Sequence, residues 1–309
     1  MAAALAVFVV WQLVRPMSGG VGLASLVLVL GLLAIGFNFI FGMGGMLSFG
    51  HAALFGAGGY ALMLSITHWQ LGFLAALGIA ALTGALLAAL ISLFALRATG
   101  LFFGLLTLAF AQLFALVVGG RFRSFFGGSD GLPGVPRPRL FGIDLGQDGN
   151  YLLFLAVVFV AAAALAWLLR ASPFGMALNA ARVNEVRAAQ VGFNVQRLRQ
   201  VAFMLSGAYA GVSGALMSSL LMYVSPQMLH WTVSGDLIIM TVLGGSGSLF
   251  GPVIGVAVFE LLKEELSRIT PHWHLILGGI FILTTLFLPR GIAGLLAGGG
   301  RGVGGSRHG

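Results

Sequence analysis

Between Pro16 and Leu96 the chain runs for 81 residues without a single Asp, Glu, Lys or Arg. A soluble domain cannot do this, because its surface must stay in water and about a quarter of its residues are charged. A gap of this length instead accommodates three or four membrane crossings of about 20 residues each. The rest of the chain follows suit, with 59% hydrophobic residues, 8% charged residues and a mean hydropathy of +1.04. The alternating ten-residue segments of an outer-membrane barrel are missing. A spanning backbone must therefore satisfy its own hydrogen bonds as helix. The expected fold class is an all-α membrane protein.

Apolar windows between polar breaks number about ten. They cover residues 2–14, 21–41, 46–66, 71–96, 101–118, 151–169, 201–222, 233–243, 249–262 and 275–288. The windows 2–14, 233–243 and 249–262 are short for a crossing, so each must extend, form a half-helix or rest against protein. Arginine placement sets the orientation. The loop 170–200 holds Arg170, Arg182, Arg187, Arg197 and Arg199 against the single acid Glu185, which argues for the cytoplasm. Counting outward puts both termini, Arg97, Arg290, Arg301 and Arg307 on that same side. It also places the loop 119–150 outside despite Arg121, Arg123, Arg137 and Arg139, which conflicts with the rule. Residues 1–296 read as one transmembrane domain, and the Gly-rich tail 297–309 as disordered.

The net charge of +8 and pI near 11.3 raise the question of a nucleic-acid partner. The arginines, however, sit between apolar segments rather than on one soluble face, so they read as topology signals. With no cysteine, disulfides, thiolate metal sites and cysteine catalysis are excluded. The first residues carry neither a positively charged n-region nor an A-x-A-like site, so a removable signal peptide is not expected.

Enzymatic chemistry needs a cluster of reactive groups, and the candidates are few. The eight acids are Asp130, Asp144, Asp148, Glu185, Asp236, Glu260, Glu264 and Glu265, mostly at span edges or in loops. Asp236 and Glu260 read as acids near span ends, within reach of water or headgroups. His272 and His274 have no adjacent acid with which to build a metal site. The only lysine is Lys263, in "ELLKEEL", without the glycines of a phosphate-binding loop, so this chain is not itself an ATPase. No cofactor is expected.

His51 is the one histidine inside an apolar run. It either serves the transport path or donates a hydrogen bond to a neighbouring helix, and the second reading is preferred. It lies in "GMGGMLSFGHAALFGAGGY", where Gly42 to Gly45 read as a tight cytoplasmic turn and Gly56, Gly58 and Gly59 as positions of close helix approach. "GGMLSFGHAALF" from Gly44 is echoed by "GGSGSLFGPVIG" from Gly244. Glycine-interrupted segments at matching positions mark the substrate path in many transporters. The candidate path residues are accordingly Ser48, His51, Gly244, Gly245 and Ser246.

The segment 172–200 is too charged to cross but helical in composition. Ser172 before Pro173 reads as an N-cap with proline at the first helical position, and "MALNAARVNEVRAAQV" ends at Gly192 in the manner of a C′ glycine. One short amphipathic helix is expected there, either on the membrane surface or docked on a soluble motor.

The blocks "GGMLSFGHAALFGAGGYALML", "GLFFGLLTLAFAQL", "GGSDGL", "SPFGMALNAARVNEVRAAQVGFNVQRLRQVAFMLSGAYAGVSGAL", "YVSP" and "VLGGSGSLFGPVIGVAVFELL" closely resemble, in the same order, the permease subunits of branched-chain amino-acid ABC importers of the LivM type. The resemblance implies a fold similar to the ten-helix vitamin B12-type importer permeases, with a cytoplasmic coupling helix after the sixth span. Glu185, Ala188, Ala189 and Gly192 match the family's "EAA…G" pattern. Together with Ser172, Gly175, Asn184 and Arg187 they are the expected ATPase-coupling residues. The implied partners are a second permease of the LivH type, two ATP-binding subunits and an extracytoplasmic substrate-binding protein. The implied location is the bacterial inner membrane. A permease of the same family for urea, short amides or another small polar solute is the near rival, and an ion-coupled secondary transporter the distant one. An intramembrane hydrolase would need a reactive dyad that the sequence does not offer.

Overall fold

The computed structural model describes residues 20–133, 137–140, 142–288 and 291–297; the window 2–14 and the tail beyond Ala297 lie outside the described residues. Helix α1 (Gly20–Asn38) continues as a π-helical turn over Phe39–Met43 and is followed by α2 (His51–Thr67), α3 (Phe73–Ala95) and α4 (Leu101–Leu116). The short α5 (Arg123–Phe126) precedes a loop, then α6 (Asp148–Ala171), α7 (Pro173–Val183), α8 (Glu185–Gln190) and the long α9 (Val195–Leu221). Helices α10 (Trp231–Gly244), α11 (Gly251–Ile269), α12 (Trp273–Phe287) and α13 (Gly291–Ala297) complete the described chain.

Among the described residues six helical runs are long and apolar enough to cross a membrane, beginning at Val21, Phe73, Leu101, Asp148, Val195 and Trp273. Helices α2 and α10 are apolar but shorter. At 17 residues α2 spans about 26 Å, less than the hydrocarbon core of about 30 Å. The protein is thus a multi-pass helical membrane protein. One expected boundary is corrected: residues 46–50 are not helical, and α2 begins only at His51. Met46, Leu47 and Phe49 make that stretch read as span, yet the Met46 N–H turns back to the Ile40 carbonyl and the Phe49 N–H is held by the Thr107 side chain of α4.

Helix α9 is the centre of the bundle and packs against α1, α2 and α3. Small residues make this possible. A Cβ on Gly84 of α3 would strike the Gly207 carbonyl oxygen, and one on Gly58 of α2 would strike that of Gly211. Without a hydrophobic force between helices in lipid, such close approach supplies the van der Waals contact that holds them. Gly59 likewise meets Ser218 of α9, whereas Gly56 meets Leu229 of the following connection. The outer surfaces of α3, α4, α6 and α12 carry exposed Leu86, Phe102, Val160 and Leu286. Exposed apolar area of this kind belongs against lipid or another subunit.

The basic loop 119–150 is structured. Its strand β1 (Leu132–Pro133) precedes a hairpin of β2 (Arg139–Leu140) and β3 (Ile143–Asp144), and β1 pairs antiparallel with β4 (Tyr223–Val224) just after α9. Arg137 is the anchor, donating to the Ser219 and Leu220 carbonyls at the end of α9 at 3.2 and 2.9 Å and to Asp148 Oδ1 at 2.8 Å. Its guanidinium also lies over the buried Tyr151 ring. A side chain only 6% exposed and capping a helix C-terminus is not a free topology signal. Arg137 is thus engaged within the fold, whereas Arg139 is exposed and only 3.7 Å from Asp144. Arg137→Ala is expected to lower stability by about 2–3 kcal/mol, the range for hydrogen bonds to a charged group, read as a lower thermal midpoint in detergent.

Candidate functional site

Two glycine-rich turns meet at the end of the bundle opposite Arg137. In the first, Gly44 and Gly45 are followed by Ser48 and by α2 at His51; in the second, Gly244 and Gly245 are followed by Ser248 and by α11 at Gly251. The spacing is the same and so is the construction. Gly45 (φ +68°) and Gly245 (φ +99°) both adopt the left-handed conformation that disfavours side chains. Ser48 Oγ accepts from the Gly50 N–H at 3.2 Å, and Ser248 Oγ from the Gly251 N–H at 2.7 Å. The turns also touch. Asn38 Nδ2 donates to the Ser248 carbonyl at 2.9 Å, and the Ser246 carbonyl leaves no room for a Cβ on Gly42.

The first turn needs partners because irregular backbone inside a bundle must still be satisfied. The Phe49 N–H donates to Thr107 Oγ1 at 3.1 Å and the Ala52 N–H to Ser234 Oγ at 2.8 Å. His51 is fully buried between them. Its Nε2 shares a 2.7 Å hydrogen bond with Ser206 Oγ of α9, its Nδ1 a 3.1 Å bond with Ser48 Oγ, and Phe37 and Phe203 meet its ring edge-on. The ring therefore ties α2 to α9. Gly244 and Gly245 are buried against α11 and α13, while Ser246 is half-buried. Thr107, Ser206 and Ser234 escaped the sequence reading, since a lone hydroxyl in an apolar run carries no signal until a distant helix supplies its partner.

The basic segment after α6 lies at this same end. Ser172 Oγ accepts from the Gly175 N–H at 3.4 Å, and Gly175 sits so close to the Leu169 and Arg170 carbonyls that a side chain would clash. The sequence predicts one helix from Pro173 to Val191, but there are two. Asn184 adopts an extended conformation (φ −155°, ψ 102°), and its Oδ1 accepts from the Arg187 N–H at 2.9 Å, starting α8 afresh. Asparagine competes for backbone donors in this way, which breaks the run. Ala188 is buried with Ala181 and Val195, whereas Ala189 is exposed and Gly192 (φ +99°) closes α8. Glu185 faces Arg199 in a two-pronged pair of 3.0 and 2.8 Å. The exposed tips are apolar: Val183, Val186 and Val191 are 82%, 68% and 73% accessible.

The α7–α8 hairpin is tied to the first turn through Arg182, and the end of α6, just before the hairpin, is tied to the second through Arg170. Arg182 donates to the Gly42 carbonyl, and Arg170 Nη2 donates to the Gly247 carbonyl at 3.0 Å.

At the opposite end, a cavity of about 320 Å³ opens between α1, α9, α10 and α11, lined by Asp236, Glu260 and Lys263 among leucines and methionines. The reading of Glu260 as a solvated span-end acid is corrected: its side chain is 4% exposed, 3.5 Å from Lys263 Nζ. Packing of α11 against α1 and α10 buries it.

A multi-pass bundle with unwound glycine turns wired to a polar hairpin is the construction of a membrane permease. The chain belongs to the family described as branched-chain amino acid transport system / permease component, whose model matches residues 19–286. It is 26% identical over 298 residues to the high-affinity branched-chain amino acid transport system permease protein LivM of Escherichia coli (strain K12), covering 89% of this chain and 70% of that protein. The Salmonella typhimurium LivM matches to the same extent. The autoinducer 2 import system permease protein LsrC of Escherichia coli O9:H4 is 28% identical over 168 residues, which is 51% of this chain and 47% of LsrC.

Proposed function

We propose that the chain is one permease subunit of an ATP-driven importer for branched-chain amino acids in the bacterial inner membrane. The observation that carries this reading is the arginine tie from the polar hairpin to the first glycine turn through Arg182, beside which Arg170, at the end of α6, is tied to the second. Such a hairpin, with exposed valines at its tips and an acid locked to Arg199, suits docking into a groove on a soluble motor. Ser172, Gly175, Asn184, Glu185, Arg187, Ala188, Ala189 and Gly192 build and hold it, and Val183, Val186 and Val191 make the contact.

In this account the fold is of the ten-helix vitamin B12 type, with both termini and the hairpin cytoplasmic. A LivH-type permease supplies the other half of the path, two ATP-binding subunits drive it, and an external binding protein delivers the solute. Closure of the ATPases pushes α7 and α8, and the push passes through Arg182 to the turn at Gly42–Gly45 and, by way of the end of α6 at Arg170, to the turn at Gly244–Gly247. The helices α2 and α11 that follow the turns then shift and access alternates. Ser48, His51 and Ser246 lie along this moving part. The near rival, a permease of the same family for another small polar solute, is favoured by the likeness to LsrC.

The test is ATP hydrolysis by the complex of this chain with the proposed partner permease, ATPases and binding protein. Hydrolysis is expected to rise when binding protein loaded with leucine is added and to stay flat when this chain is omitted. A rise without this chain would remove it from the machine.

A further inference from the structure

We infer that the cavity lined by Asp236, Glu260 and Lys263 is a binding subsite for a solute that joins an ammonium group to an apolar body. Its size falls within the roughly 300–1,000 Å³ of small-molecule sites. Its walls are Leu26, Leu30, Phe55, Met217 and Met240, which offer an aliphatic chain a dry surface. Its charges do not balance: two carboxylates face the chain's single lysine.

The pairing inside the cavity is incomplete as well. Lys263 Nζ stands 3.5 Å from both Glu260 oxygens, the outer limit of a hydrogen bond, and Lys263 is partly engaged by the Trp273 ring. Among the described residues no side chain donates to Asp236. The other titratable groups nearby are His274, at the start of α12, and Glu264, which is already held by Arg268 at 2.6 Å. Carboxylates within a membrane bundle are expensive and default to a functional role. An arriving ammonium would supply the missing cation between Asp236 and Glu260, and Lys263 keeps donors free for a carboxylate on the same solute. A neutral solute leaves both needs unmet, so the cavity selects a zwitterion with an aliphatic side chain over a sugar-like molecule.

The subsite rests on the importer reading for its place on the path, not for its chemistry. Gln227 and Met228, in the connection from α9 to α10, also line it. In the proposed orientation that connection faces outward, where a binding protein releases its cargo.

The absence of cysteine allows a direct test. Leu30→Cys places one thiol in the cavity wall of this chain, within the complete complex in permeabilised membranes. Cationic ethylammonium methanethiosulfonate is expected to label it at least about fivefold faster than the anionic ethylsulfonate reagent, as for other electrostatically focused sites. Asp236→Asn should bring the ratio near one, and isopentylammonium should protect the thiol while the isosteric 3-methylbutan-1-ol does not. A ratio near one in the Leu30→Cys protein, or equal protection by the alcohol, would overturn the subsite. Since no ATP or transport enters the measurement, failure here is separable from failure of the importer reading. Conversely, a complex that imports leucine unchanged with Asp236→Asn keeps the importer and loses the subsite.

Discussion

Glu185→Arg is expected to abolish transport and the stimulation of ATP hydrolysis while leaving the complex assembled in the membrane. Glu185 holds the start of α8 against α9 through two bonds to Arg199 Nη1 and Nη2. Arginine there sets two guanidinium groups against each other, and the short α8 has few other attachments. As a stability term the exposed pair is worth only about 1 kcal/mol or less, so the bundle itself should survive. The hairpin should not keep its angle. The distinguishing experiment is the charge swap: Arg199→Glu added to Glu185→Arg should recover most of the lost activity, since neighbouring residues couple in a double-mutant cycle. A swap as inactive as the single variant would place Glu185 against the ATPase instead.

The second large effect is expected at Arg182. Its guanidinium reaches the Gly42 carbonyl, and its aliphatic stem lies beside Gly45, where the backbone turns left-handed. Arg182→Gln should still let the hairpin form, because Ser172 and Asn184 cap its helices independently. What it removes is the tie to the turn. Uptake per ATP hydrolysed is therefore expected to fall by roughly tenfold, with hydrolysis itself within about twofold of the parent, because a two-state element is no longer biased from the motor side. Equal losses in uptake and hydrolysis would show that Arg182 merely supports the hairpin.

The helices that the sequence revealed best are those whose evidence is local. The window 71–96 became α3 and 151–169 became α6, because a run without charge admits little else in lipid. Ser172 was legible as a cap because serine followed by proline is a local signal. The errors fall where distant partners decide. Residues 46–50 read as span because nothing nearby showed that Thr107 and Ser234 would hold their neighbours' amides. Asn184 sits in a strongly helical run, and its capping of a second helix depends on the chain turning there. Arg137 looked like a topology signal because its carbonyl partners lie 82 and 83 residues away. Glu260 looked solvated because only tertiary packing of α11 buries it. The echo between Gly44 and Gly244 was visible as letters, but its meaning rests on two positive φ values and two serine-to-amide bonds that only the structure displays.

The central claim is that this chain is a path driven by ATP and not by an ion gradient. Its most direct test is uptake of labelled leucine into proteoliposomes that contain the chain, its partner permease and the two ATPases, with binding protein outside and ATP inside. The account predicts accumulation that needs every component and stops when ATP is replaced by a non-hydrolysable analogue. Accumulation by this chain alone, driven by a proton or sodium gradient without ATP, would contradict it.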